Sequence, residues 1–273
     1  MIFRKAAAAL LPLVFAPLPL ASASAAQESP PADLRWVAEW GERRCTLARM
    51  APNTTPVLVL RLLPGSSHVD LIFPGRPPTG AVGGARAELV YSDGTRSDVR
   101  FGWRSPGDVT PRISLSIESA LLDRLASSSA VRLVHRGETL ADVPLPRAGA
   151  AIAALRRCAD SALAEWGVDG AAQAALQRRP EKVIQGAPWI TSEDYPPAAL
   201  RRSSSGEVVL RLTINAAGRV SECAVAVSSG DADLDATSCR LFALRGRYAP
   251  ALDAEGRPTA ASTVEAVIWG LPQ

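Results

Sequence analysis

Between residues 30 and about 146 the apolar residues come in short runs that either alternate with polar ones or lie unbroken, and this limits the fold more than any other feature of the chain. RISLSIES (112–119) puts Ile113, Leu115 and Ile117 on one face of an extended chain and Ser114 and Ser116 on the other, because successive strand side chains point to opposite faces. TPVLVLRLL (55–63) is a buried-type apolar run, followed by HVDLIF (68–73), RAELVYS (86–92) and SDVRFGW (97–103). Asp93-Gly94 turns one pair of strands into a hairpin, and Arg136-Gly137 turns VRLVH into TLADVPL. A short helix is expected over Ser119–Leu125. Many short strands at this spacing predict a mostly-β domain, a small sandwich or barrel.

The period then changes. In AGAAIAALRRCADSALAEWG, Ile152, Leu155, Cys158, Ala162 and Trp166 recur at helical spacing. Gly167 stands where a helix C-terminus favours glycine. A closing helix therefore ends the β-rich domain near residue 167. Residues 168–189 read as a connecting segment with Pro180, Gly186 and Pro188, in which Trp189 is expected to pack on a neighbour.

The N-terminus has the organisation of a secretory signal peptide over residues 1–26. Arg4 and Lys5 form a positive start, Ala6 to Leu20 is apolar, and Ala21 to Ala26 offers small residues for cleavage after Ala25 or Ala26. The rival is an uncleaved membrane anchor. Residues 6–26 are just long enough to span, but Pro12, Pro17 and Pro19 weaken a spanning helix. The formal charge is +3 over 273 residues, and with the leader's two cations removed the rest is close to neutral. That balance gives no support for nucleic-acid binding.

Export permits disulfides, and four cysteines allow three pairings. Cys158 lies on the apolar stripe of the closing helix and Cys45 in RRCTLARM, a candidate strand. A Cys45–Cys158 bridge would pin helix to sheet. No CxxC or His-rich spacing points to a metal site, and no cofactor or small-molecule substrate is indicated. His68 and His135 sit in strand-like contexts without a Ser or Cys constellation, so a structural or surface position is expected for each and an enzyme is not. The arginine pairs Arg43-Arg44, Arg156-Arg157, Arg178-Arg179 and Arg201-Arg202 are expected on solvated faces.

In the last third, Tyr195-Pro196-Pro197 must be extended, and a short helix Ala198–Arg202 follows. GEVVLRLTIN puts Val208, Leu210, Leu212 and Ile214 on one face. The loop NAAG ends in Gly218, and the return strand RVSECAVAVSS is expected to alternate, with Ser221, Cys223, Val225 and Val227 facing one way. DADLDATSCRLFALRG is a helix whose Asp231, Asp233 and Asp235 complement its N-terminal dipole rather than bind metal. ASTVEAVIWG is a final strand. The order gives an α+β unit, a three-stranded antiparallel sheet with helices on one face. Cys223 and Cys239, on a strand and the helix packed against it, can reach each other.

Tyr195-Pro196 with Ala199-Leu200, Gly206-x-Val208, Ile214 with Gly218-Arg219-Val220, Ser228-Ser229-Gly230, Leu234-Asp235, Tyr248-x-Pro250-Ala251 and Gly256-x-Pro258 together resemble the C-terminal domain of TonB-family energy transducers, over residues 190–270. RRCTLAR and LRRCADSALAEWGVD resemble the extra N-terminal domain of some TonB-like periplasmic proteins. The resemblance implies a periplasmic protein-binding module at residues 190–273, non-enzymatic, that engages the extended TonB box of outer-membrane receptors by strand addition. The candidate contacts are Tyr195 and Pro196 with the last strand, Ser262, Thr263, Val264, Glu265, Ala266, Val267, Ile268 and Trp269. The same edge could instead pair with another envelope protein or a second copy of the chain, giving a scaffolding protein. Energy transducers carry a membrane anchor and a long proline-rich spacer, whereas here the leader has the cleavable pattern and a β-rich domain stands in the spacer's place. An uncleaved leader would make the protein inner-membrane anchored.

Overall fold

The computed structural model describes residues 34–52, 55–75, 84–104, 112–183 and 188–271. The expected leader and Gly186 lie outside them. Strands β1 (Arg35–Trp40), β2 (Cys45–Met50), β3 (Pro56–Leu62), β4 (His68–Pro74), β5 (Ala85–Tyr91), β6 (Arg96–Arg104) and β7 (Arg112–Glu118) come first. Helix α1 (Leu121–Ser127) follows, then β8 (Ala130–His135) and β9 (Glu138–Pro144). They form one nine-stranded sheet in the order β1-β2-β3-β4-β7-β6-β5-β8-β9, with every pair antiparallel. The expected short helix lies slightly later, at Leu121–Ser127, so that Leu122 and Leu125 are the residues it buries.

The sheet is curled around a single core rather than stacked as two layers. Alternate residues of successive strands, among them Leu47, Leu60, Leu71, Phe73, Leu89, Phe101, Ile113, Leu115 and Leu133, pack in one cluster. Side chains tie the two ends of the sheet to each other. Trp36 Nε1 donates to the Pro146 carbonyl at 2.9 Å. The buried Arg49 donates to the carbonyls of Pro144 and Leu34 and stacks its guanidinium on Trp36, 5.3 Å from the ring centroid. Helix α2 (Ala148–Glu165) plugs the core with Ile152, Leu155 and Cys158. A disulfide joins Cys158 to Cys45 on β2, with Cα atoms 6.0 Å apart.

The rest of the chain runs through α3 (Gly170–Ala174), β10 (Glu181–Lys182), a 3₁₀ turn at Ser192–Asp194, α4 (Pro197–Arg201), β11 (Gly206–Ile214), β12 (Val220–Val227), α5 (Ala232–Arg245), β13 (Tyr248–Ala249), β14 (Ala251–Leu252), β15 (Pro258–Thr259) and β16 (Ala261–Trp269). The principal sheet has the order β12-β11-β16, both pairs antiparallel. One face, Val208, Leu210, Leu212, Ile214, Val267 and Trp269, packs on Leu234, Leu241 and Phe242 of α5. A disulfide joins Cys223 of β12 to Cys239 of α5, Cα–Cα 5.6 Å. The connecting segment is held along the same unit: β10 pairs with β13, and Trp189 meets Phe242 and Tyr248 edge-on at 5.8 and 5.3 Å.

Three expectations need correction. Helices do not cover one face of this sheet alone. On the opposite face Val209 and Val264 are buried with Trp166 and Val168, flanked by Leu63, Ala162 and Leu163, so the end of α2 and the β3–β4 turn cover it. The return strand does not keep one alternation. A register shift lies between Val209↔Val227 and Leu210↔Val225; this bulge turns Val227 to the α2 side, where it packs with Ala226. Finally, Arg43 and Arg44 do not lie on a solvated face. Arg43 donates to the carbonyls of Glu207 at 3.0 Å and Ser228 at 2.6 Å, and Arg44 pairs with the Glu207 carboxylate. Arg202 does stay exposed, at 51% of its side chain, while it pairs with Asp231 at 2.7 Å and Asp233 at 2.8 Å.

Candidate peptide-docking edge

β16 is an edge strand. It pairs with β11 from Gly206↔Trp269 to Ile214↔Ala261 without a register break, and no strand pairs with its other side among the described residues. Its orientation follows from two hydrogen bonds. Gln173 Nε2 of the connecting segment donates to the Ser262 carbonyl at 3.0 Å, so Ser262 turns its backbone outward. Ser221 Oγ of β12 donates to the carbonyl of Thr213, which lies opposite Ser262, at 3.1 Å, so Thr213 faces β12 rather than β16. In an antiparallel ladder this parity repeats every second residue. Val264, Ala266 and Ile268 therefore turn their N–H and C=O away from β11, while Thr263, Glu265, Val267 and Trp269 bond to it.

The expected contact residues divide accordingly. Ser262 is capped by Gln173. Val264 is buried against α2. Ala266 and Ile268 keep outward backbone groups, and the Ile268 side chain is 72% exposed. Trp269 is buried, its Nε1 donating to Ser238 Oγ at 2.9 Å. Tyr195 is brought to the same end of the strand: its ring meets Trp269 edge-on at 5.2 Å, and its hydroxyl donates to the Ser204 carbonyl. The Tyr195 ring is buried, and the adjoining Pro196 is half-buried. Tyr-Pro thus fixes the approach to α4 and braces the end of β16 from below.

Glu265 anchors a polar knot that residue spacing did not announce. Its carboxylate accepts from Tyr248 Oη at 2.9 Å and from Lys182 Nζ at 3.0 Å. The ammonium also lies over the Trp189 and Phe242 rings, 4.8 and 5.2 Å from their centroids. Burial, then the Glu265 charge, pushes the Tyr248 phenol far above its ordinary range, so it stays a neutral donor. The knot and the Gln173 bond fasten the connecting segment beside β16, and among the described residues no strand covers the Ala266–Ile268 end.

The remaining candidates make hydrogen bonds within the fold, exposed His68 to the neighbouring Ser66 and Ser67. His135 is buried, its Nδ1–H donating to the Arg86 carbonyl at 2.6 Å, with its ring edge-on to Phe101 at 5.3 Å. Asp231 caps α5, accepting from the N–H groups of Asp233 and Leu234. Asp235 accepts from Ser228 Oγ, Ser229 N–H and Ser229 Oγ at 2.6, 2.9 and 2.6 Å. Among the described residues no cluster of His, Cys, Asp and Glu could hold a metal ion, and no helix is long and apolar enough to cross a membrane.

Residues 191–271 match the family model described as Gram-negative bacterial TonB protein C-terminal, the stretch that carries the resemblance in the sequence. No curated protein matches the chain. Among solved structures, the crystal structure of invasion associated protein b from Bartonella henselae is similar over 45% of this chain and 90% of that one, at 13% identity and a TM-score of 0.32.

Proposed function

We propose that this is an exported, periplasmic envelope protein whose C-terminal domain captures extended peptide segments, such as the TonB boxes of outer-membrane receptors, by adding them as a strand to β16. In this reading residues 1–26 are a cleaved leader, residues 30–167 form the β-rich domain, residues 168–189 connect it, and residues 190–273 bind the partner without catalysis or cofactor. The observation that carries it is the outward backbone of Ala266 and Ile268 on an otherwise well-packed sheet. Unpaired N–H and C=O groups on an edge are a template for an extended chain. The match to the TonB C-terminal family supports the choice of partner.

The test is titration calorimetry of the chain from Gln27 to Gln273 with receptor TonB-box peptides. The whole chain is needed because the second face of the sheet packs on Trp166 of α2. Saturable binding, weakened by Ala266→Pro, is expected. Heat-silent titrations with every such peptide would remove the receptor role. A second reading has its own support in the exposed Ile268 and Leu271, 72% and 44% accessible: two copies pair through β16 and build a scaffold. Sedimentation equilibrium decides it, since a monomer at high concentration rules that dimer out.

A further inference from the structure

We propose that the β-rich domain selects the peptide, and that the segment it selects is acidic. This rests on the strand-addition reading above. Beneath Ile268, on the face of β16 away from α5, lies a groove of about 590 Å³ formed jointly by the β-rich sheet and the C-terminal domain. Its floor is the outer, polar face of β3, β4, β7 and β6, carrying Arg61, Asp70, Arg112 and Arg100; Glu207 and Ile268 close it from the other side. With Arg44 included, four arginines line it against two carboxylates. Arg44 is already committed to Glu207. Asp70 lies opposite Arg61 in the ladder, yet Arg61 forms no ion pair among the described residues. Among the described residues Arg100 reaches the Gly84 carbonyl at 3.4 Å and forms no ion pair. With the Arg44–Glu207 pair set aside, the guanidinium groups of Arg61 and Arg100 face the single carboxylate of Asp70 among the described residues of the groove.

The groove is continuous with the free end of the edge. A strand laid on Ala266–Ile268 follows the pleat of β16, so every second side chain falls on the Ile268 side. Those side chains enter the groove between Ile268 and the arginines. A carboxylate there gains the guanidinium groups as partners, whereas a neutral amide of the same shape gains only hydrogen bonds. Side chains on the other side of the added strand look toward α5 and meet no such field. The recognised ligand is an extended segment with acidic residues at alternate positions, read by charge on one face and by backbone on its edge. Selection resides in the domain that precedes the TonB-type unit, which gives that domain a task.

The experiment titrates residues 27–273 with two blocked peptides, acetyl-STVEVEVTS-amide and its glutamine counterpart acetyl-STVQVQVTS-amide. The acidic peptide is expected to bind on the order of tenfold more tightly at low salt, from two partly exposed charge pairs, with the advantage shrinking as salt shortens the screening length. Arg61→Ser combined with Arg100→Ser should erase the difference, weakening the acidic peptide far more than the glutamine peptide, which loses only hydrogen bonds; both side chains are exposed, and circular dichroism checks the fold. Amide exchange should slow at Ala266 and Ile268 in the complex. Equal affinity of the two peptides overturns the selection and leaves strand addition standing. A preference without exchange protection at Ala266 and Ile268 overturns strand addition, and so does binding of neither peptide; either result removes this inference with it.

Discussion

Gly218 shows how one residue can be fixed by backbone alone. It sits in the β11–β12 loop at φ +72°, and an added Cβ would lie 2.0 Å from the Tyr248 carbonyl oxygen. Its own carbonyl accepts from the Tyr248 N–H at 2.9 Å, so neither partner can withdraw without losing that bond. Gly94 shares the conformation, φ +83°, but has nothing within 4 Å of its would-be Cβ. Gly94→Ala is therefore expected to cost only the left-handed penalty, about 1–2 kcal/mol, while Gly218→Ala adds overpacking of roughly 1–3 kcal/mol more. Urea unfolding at constant m-value measures both, and equal losses would contradict the close approach. Asp235 makes the same point in side-chain chemistry. Its carboxylate takes three donors from Ser228 and Ser229, which explains why a Ser-Ser-Gly turn precedes Leu234-Asp235 at that interval. Asp235→Asn replaces an acceptor oxygen by a donor, and a loss of about 1–3 kcal/mol is expected in the same assay.

At the scale of elements, the two disulfides do different work. Cys45–Cys158 closes a separation of 113 residues, Cys223–Cys239 one of 16. Loop-closure entropy then makes the first worth about 4–5 kcal/mol and the second about 3 kcal/mol. Paired serine variants should show that ranking in thermal or urea unfolding, and the reverse ranking would mean that the folded state, not the unfolded chain, sets the cost. Elements were legible in the sequence where they obey a simple period, as with Ile113, Leu115 and Ile117 on β7 or Ile152, Leu155 and Cys158 on α2. What escaped reading was set by contacts distant in sequence. The bulge that turns Val227 is a mismatch between two strands, invisible in either alone. The strand order β4-β7-β6-β5-β8 depends on which strands meet, and alternation reports only which faces are apolar. The last strand was legible as the candidate edge, but the capping of Ser262 by Gln173 and the burial of Tyr195 depend on partners 89 and 74 residues away.

For the whole molecule, the decisive feature is that the TonB-type sheet has two covered faces and only one of them is its own. Trp166 is 9% exposed and packs with Val209 and Val264, while Arg43 and Arg44 bond Glu207 and Ser228 from the β-rich side. Sequence reading treated Trp166 as the last residue of a helical stripe and the arginines as solvated, because nothing local marks a residue as belonging to an interface. Trp166→Ala is expected to cost roughly 3–5 kcal/mol and to split one unfolding transition into two; a single shifted transition would show that the halves stay coupled by other contacts. Acid should separate them as well. Asp194 is held below the usual carboxylate range chiefly by Arg245, which it meets through two hydrogen bonds of 2.7 and 2.8 Å. Asp231 is depressed by the Ser204 hydroxyl and then Arg202, and Asp253 by the Arg257 N–H. A carboxyl whose folded pKa lies below its unfolded value of about 3.9 contributes stability that is complete above that pH and disappears as pH falls through the folded value. These three carboxylates lie in the C-terminal domain, against Asp93 alone in the β-rich one, held low by Thr95, so stability should hold level from neutral pH to about pH 5 and then fall as pH drops below about 4, with the C-terminal domain losing more of it. Asp194→Asn should flatten part of the slope. Chemical denaturation along a pH series, followed by exchange at residues of β11 and of β7 separately, reads both effects; equal loss in the two sheets, or stability that rises toward acid, would refute the assignment.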